Sequence, residues 1–158
     1  MKKILFVGVK YCYWGGLLRE PSYELVHFVP TWEAMGHETD YIDVWPSPDF
    51  NRDNFNKELL ELAPKYDILW CNIHQDQIYV ETLEKLKGKV LRLGFQTDDH
   101  WRFDSISKTY APSFDWWITT VKERLPDYKE TIPLAKAIYM PWGVHTDIYK
   151  PSNEPKDN

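Results

Sequence analysis

Leu91-Arg92-Leu93-Gly94-Phe95-Gln96-Thr97-Asp98-Asp99-His100-Trp101 is an apolar run that ends abruptly in two carboxylates, an imidazole and an indole. A short run of this kind suits a strand of a parallel sheet, covered on both faces. In an open α/β sheet, ligands bind outside the carboxyl ends of the strands. The residues from Gln96 onward are then the natural place for chemistry, provided that the rest of the chain supplies such a sheet.

Working outward from this stretch, the chain alternates strand and helix throughout. Residues 3–9, Lys-Ile-Leu-Phe-Val-Gly-Val, form a continuous apolar strand, followed by a loop with paired glycines, Gly15 and Gly16, that can bring backbone N–H groups close to a ligand. Ser22 is a suitable N-cap for a helix carrying Leu25, Val26, Phe28 and Val29. Pro30 is expected to kink or break that helix, which resumes over 32–35 and is capped by Gly36. Residues 37–44 read as a second, more exposed strand. Asp53 or Asn54 opens a helix with Phe55, Leu59, Leu60 and Leu62, stopped by Pro64. Residues 66–71 are a third strand, 78–86 a helix closed by Gly88, and 89–95 the fourth strand. A short helix over 105–110, a fifth strand over 114–120, helical pieces over 121–125 and 129–134, and a sixth strand over 136–141 complete the pattern.

Six strand-helix alternations without a hairpin signal argue for right-handed crossovers and helices on both faces. The expected fold is one Rossmann-like, three-layer α/β domain over residues 1–151, its parallel sheet ordered 2-1-3-4-5-6, with residues 152–158 a polar tail or the start of an interdomain linker. The switch point then lies between strands one and three, and its crevice gathers residues 13–16, 72–75 and 96–100.

Composition narrows the function. The 158 residues suffice for one domain with its own core, and 43% hydrophobic with 27% charged residues describe a soluble globular chain. A net charge of −5 and the lack of a basic run disfavour nucleic acid and membrane surfaces. Cys12 and Cys71 show neither metal-ligand spacing nor a disulfide framework, in keeping with a reducing cytosol. No segment has the length of a signal peptide core or a membrane span, so a cytoplasmic protein is expected. Eight Trp and ten Tyr are many for such a chain, and those in loops suit stacking on sugars or bases as well as sealing a core.

Three familiar chemistries fail on the residues. The first strand is not followed by Gly-x-Gly-x-x-Gly opening a helix, so a nicotinamide cofactor is not expected. No Gly-x-x-x-x-Gly-Lys-Ser/Thr segment is present. A phosphate-accepting receiver domain needs acidic residues after strand one and an aspartate ending strand three, where this chain has Lys10 and Asn72 to His74. A metal-dependent hydrolase is an open alternative, because His74, Asp98, Asp99 and His100 would lie at neighbouring strand ends and imidazole with carboxylate suits zinc, manganese or iron. A stand-alone, non-catalytic Rossmann-like binding module is another.

Over nearly its whole length the chain resembles the N-terminal half of GT-B fold glycosyltransferases, of the spore-maturation CgeB-like and family 4-like types. The segment Tyr139-Met140-Pro141-Trp142-Gly143-Val144-His145-Thr146-Asp147-Ile148-Tyr149-Lys150-Pro151 is similar to the family's Pro-Asn-Gly-Val-Asp, then Phe-x-Pro, which leads into the second domain. Ala34-Met35-Gly36-His37-Glu38 resembles its Gly-His-Glu/Asp-Val turn, and Phe114-Asp115 with the strand that follows resembles its Ala-Asp-x-Val-Ile-x-x-Ser. Trp142 and His145 depart from the family's Asn and Asp.

The resemblance implies a half enzyme. Gly15 and Gly16 match the glycine loop near the sugar-nucleotide phosphates, His74 the histidine after the switch-point strand, and Asp98, Asp99 and His100 the polar segment after the next one. Asp98, Asp99 or His74 would orient or deprotonate an acceptor hydroxyl, with Trp14, Asn72, His100, Trp101 and Trp142 binding acceptor. No cofactor or metal is expected within this chain. The nucleotide-sugar donor would be held largely by a C-terminal donor-binding domain, in the same or a separate chain, so that these residues are an excised domain or a natural half, inactive alone because the reaction needs two domains to close.

Overall fold

The computed structural model describes residues 1–12, 20–44, 50–131, 136–146 and 149–150. Six parallel strands form one sheet in the order β2-β1-β3-β4-β5-β6. They are β1 (Lys3–Gly8), β2 (Glu38–Asp43), β3 (Ile68–Asn72), β4 (Leu91–Gln96), β5 (Trp116–Thr119) and β6 (Ala137–Tyr139). This is the Rossmann-like α/β fold and strand order that the alternation of elements predicts. The switch point falls between β1 and β3, whose register sets Ile4 against Ile68 and Val7 against Cys71.

The helices cover the two faces unequally. On one face, α1 (Tyr23–Ala34) lays Phe28 and Trp32 on Phe6, Trp70 and Phe95, with ring centroids 4.8 to 5.8 Å apart. On the other, α2 (Arg52–Leu62), α3 (Val80–Lys85), the helical stretch after β4 and α6 (Leu125–Thr131) bury Leu59, Leu83, Phe103, Tyr110 and Tyr128 against Leu5, Val7, Leu69, Cys71 and Trp117. The strands alternate accordingly: Ile4 and Phe6 face α1, while Leu5 and Val7 face the larger helical layer.

Several local expectations hold, and several need correction. Ser22 caps α1 by accepting from the Leu25 amide at 3.3 Å, and Gly36 follows the helix with φ +83°, a conformation that a side chain would strain. Pro30, expected to interrupt the helix, lies inside it. Phe28 and Trp32, one on each side of the proline, are both pinned to the sheet, and the Thr31 hydroxyl donates to the His27 carbonyl at 2.6 Å, so packing carries the helix through. Asn51, rather than Asp53 or Asn54, caps α2 through the Asn54 amide at 2.9 Å.

The larger correction concerns the opening stretch. The short helix expected at 105–110 belongs to a helical run that begins right after β4: α4 (Asp99–Arg102), a π-helical turn over Phe103–Ser107, α5 (Lys108–Tyr110) and a 3₁₀ turn over Ala111–Ser113. The polar residues at 98–102 are thus a helix start rather than an open loop. The glycine loop and the tail beyond Lys150 lie outside the described residues. No described helix is long and apolar enough to cross a membrane.

Candidate functional site

The carboxyl ends of β1, β3 and β4 meet the amino end of α1 at the switch point. Asn72, the last residue of β3, is buried, and its amide donates to the carboxylate of Glu24 in the first turn of α1. Glu24 is itself buried. Burial pushes its pKa above the ordinary carboxylate value, against the opposing effect of hydrogen bonds from its own amide, Ser22 and Asn72. Tyr41, from the neighbouring β2, has its phenol pKa raised, chiefly by burial, with Asp43 and Glu24 adding to it. A side chain on Gly8 would meet the Phe6 ring at 2.8 Å and come within 3.6 Å of the Tyr41 hydroxyl. Glycine there leaves the end of β1 clear.

On the other side of β3, the Ile73 amide donates to the Phe95 carbonyl at 3.4 Å, and the Gln96 side chain donates to the Ile73 carbonyl at 3.0 Å. These bonds tie the segment carrying His74 to the end of β4. His74 is partly buried, and its pKa is lowered to about 4 by burial, with the Arg102 cation adding to the effect. At neutral pH it is an uncharged imidazole.

Asp98 and Asp99 part company. Asp98 is half-buried at the turn before α4 and makes no capping bond to the helix. Asp99 is 0% exposed, and its carboxylate accepts hydrogen bonds from the Tyr128 hydroxyl at 2.7 Å and from Ser107. Tyr128 in turn accepts from the Trp117 indole at 2.7 Å. Asp99 therefore joins β5, α6 and the helix after β4, with both carboxylate oxygens engaged by buried hydroxyls, which gives it a structural role in this turn. Arg124 holds the same turn from outside, donating to the carbonyls of Asp99 at 3.1 Å and His100 at 3.2 Å and to the Asp127 carboxylate at 2.7 Å.

His100 and Trp101 face solvent, Trp101 with 63% of its surface exposed. Trp142, after β6, stands edge-on to Tyr23 of α1 at 4.5 Å and to Phe95 at 6.0 Å, half exposed. Asn72 thus ends β3 beside α1, His74 and Asp98 follow the ends of β3 and β4, Trp142 packs on Tyr23 and Phe95, His100 and Trp101 are exposed, and Asp99 is buried. Trp14, Gly15 and Gly16 lie outside the described residues. No three His, Cys, Asp or Glu side chains among the described residues are placed to hold a metal ion.

Glu24 and Arg102 are missing from the sequence reading. The only signal for Glu24 was its place one turn inside a helix opening at the switch point, a turn otherwise read as capping.

A separate cavity of about 310 Å³ lies between α1 and residues 140–144, walled by Phe28, Trp32, Trp70, Met140 and Val144. Its mostly apolar walls carry none of the site residues above. The returning segment is fastened to α1 where the His145 amide donates to Nδ1 of His27 at 3.1 Å.

Comparison of the chain with protein-family models, curated proteins and solved structures gives no match.

Proposed function

We propose that this chain is the acceptor-binding half of a nucleotide-sugar-dependent glycosyltransferase that works with a C-terminal donor-binding domain. The observation that supports the reading is the row of polar groups at the carboxyl ends of β3 and β4, where Asn72 bonds Glu24 and His74 and Asp98 follow, with Trp142 packed edge-on to Phe95 of β4. Such a set suits an uncharged, hydroxyl-rich ligand: carboxylates and amides bond its hydroxyls while an indole face covers its apolar ring side. The order of the motifs from the turn at Gly36 to the segment after β6 supports the same reading.

In the reaction, Asp98 orients the acceptor hydroxyl and draws off its proton as the hydroxyl oxygen attacks the anomeric carbon of the donor sugar, with the nucleotide diphosphate leaving. Glu24 and Asn72, buried and bonded to each other, fix the α1 side of the site. Uncharged His74 offers a hydrogen bond without competing for the proton.

The test is sugar transfer by the chain combined with a separately expressed donor-binding half. Activity should appear only in the mixture, and Asp98→Asn should lower kcat by about 10²- to 10⁴-fold. Micromolar binding of a nucleotide sugar by this chain alone would contradict the division of labour, and stoichiometric metal in elemental analysis would favour a hydrolase.

A further inference from the structure

The arginines on the described residues differ in one respect. Arg92, 2% exposed, donates two bonds to the Asp115 carboxylate, at 2.9 and 3.1 Å, and one to the Leu83 carbonyl at 2.8 Å. Arg52 pairs with Asp76 at 2.9 Å, and Arg124 with Asp127 at 2.7 Å. Arg102 is 9% exposed, yet its guanidinium makes no hydrogen bond and no ion pair with any described residue. The Trp101 ring lies 5.2 Å from its guanidinium carbon. An arginine whose stem is buried fixes its head group in one place, and such a head group is commonly paired with a counter-charge. None of its nitrogens is among the fully enclosed, unpartnered atoms, so the head group opens to solvent while the stem is buried.

Its position gives this opening a purpose. Arg102 lies in the first turn after β4, at the carboxyl edge of the sheet where ligands of such folds bind, and within electrostatic reach of His74. Asp98 is four residues earlier, one helical turn away, and makes no ion pair with it. The turn is held in place by Arg124 on the Asp99 and His100 carbonyls, so Arg102 projects from a fixed base.

We propose that Arg102 anchors an anionic group, a phosphate or a carboxylate, carried by the acceptor, with the Trp101 indole flanking it. The proposal rests on the acceptor-side reading above for what bears the anion, but not for the anion itself. The guanidinium presents paired N–H donors that match either group in two parallel bonds. Uncharged His74 leaves room for negative charge without adding a competing cation. An anion held one turn from Asp98 fixes the acceptor at a point remote from the reacting hydroxyl, which is how binding energy away from the bond being made serves the transition state. The acceptor class is accordingly an acidic one, such as a sugar phosphate or a sugar acid.

The experiment titrates inorganic phosphate, acetate and, as an ionic-strength control, chloride into the whole chain while following the arginine Nε–H signals by nitrogen-15 NMR. A saturable shift of the Arg102 signal with phosphate or acetate, absent with chloride, is expected. The stronger of the two anions identifies the group. Arg102→Gln should weaken that binding about tenfold, and Trp101→Ala, at an exposed position, should weaken it less without touching the fold. An unmoved Arg102 signal, or one that chloride moves equally, overturns the proposal without needing a variant to fold. Anion binding at Arg102 in a protein that transfers no sugar with any donor half would retain the anchor and sink the transferase reading instead.

Discussion

The hydroxyl of Tyr128 in α6 donates to the carboxylate of Asp99 at 2.7 Å while accepting the Trp117 indole N–H at the same distance. With Ser107 on the second carboxylate oxygen, one buried carboxylate satisfies hydroxyls from two elements. Burial, and the carboxylate beside it, raise the Tyr128 phenol pKa, so it stays a donor at every working pH. Asp99→Ala would strand two hydroxyls in the core. We expect a loss of about 2–4 kcal/mol, since each unsatisfied buried donor costs about 1–3 kcal/mol, read as a lower urea midpoint with little change in slope. Unchanged stability with lost transfer would return Asp99 to the catalytic group.

His74 makes stability depend on pH. Its pKa is about 4 in the folded chain, against an ordinary 6.5. The unfolded chain therefore takes up a proton first as pH falls, and the contribution is complete above about 6.5 and lost progressively down to about 4. The full effect is roughly 3 kcal/mol at about 1.4 kcal/mol per unit. Chemical denaturation at pH 7, 5.5 and 4 should show this fall, and His74→Phe should flatten it; an equally steep curve in the variant would place the titration elsewhere.

Gly94 has no room for a methyl group. A Cβ there would lie 2.3 Å from the ring of Trp117 and 3.0 Å from that of Phe114, both buried. Trp117 cannot retreat, because its indole nitrogen is held by Tyr128. Gly94→Ala should cost about 3 kcal/mol, at the upper end of ordinary overpacking, and alter the near-ultraviolet circular dichroism. Gly143→Ala, where nothing lies within 4 Å, is the matched control and should be neutral.

The bond from the His145 amide to His27 Nδ1 requires an unprotonated ring nitrogen. Burial lowers the His27 pKa, and nearby His145 lowers it further; Tyr23 and Tyr149 are the other titratable side chains packed on its ring. The clasp is intact above the ordinary histidine value and weakens as pH falls toward the depressed one. Hydrogen exchange at the His145 amide should quicken in His27→Leu at pH 7, and the parent should lose protection on acidification. Equal protection in both proteins would show that the aromatic contacts alone hold the segment.

The sheet was legible because its strands are short apolar runs bounded by turn residues, and a chain that alternates such runs with helices has few topologies open to it. The site was legible only to the level of which strand ends carry polar residues. Adjacent residues on a helix point about 100° apart, so Asp98 and Asp99, equal on the page, went to opposite environments once α4 began between them. The same rotation hid Arg102, which reads as an ordinary surface cation. Glu24 was hidden differently: an acidic residue in a helix's first turn is expected for the dipole alone, and only the Asn72 contact gives it another use. Pro30 marks the reverse case, where a strong local rule yielded to aromatic packing on both sides.

The π-helical turn over Phe103–Ser107 adds one residue to what would otherwise be regular α-helix. Everything after it is rotated by about 100° relative to the residues before it. Deleting a single residue from this turn would restore a regular spiral and swing Ser107 out of phase with Asp99. It would also turn Tyr110 away from the Ile78 carbonyl, to which its hydroxyl donates at 2.8 Å. The spacing between Arg102 and Tyr110 thus behaves as a counted interval, one that accepts changes of side chain far more readily than changes of length.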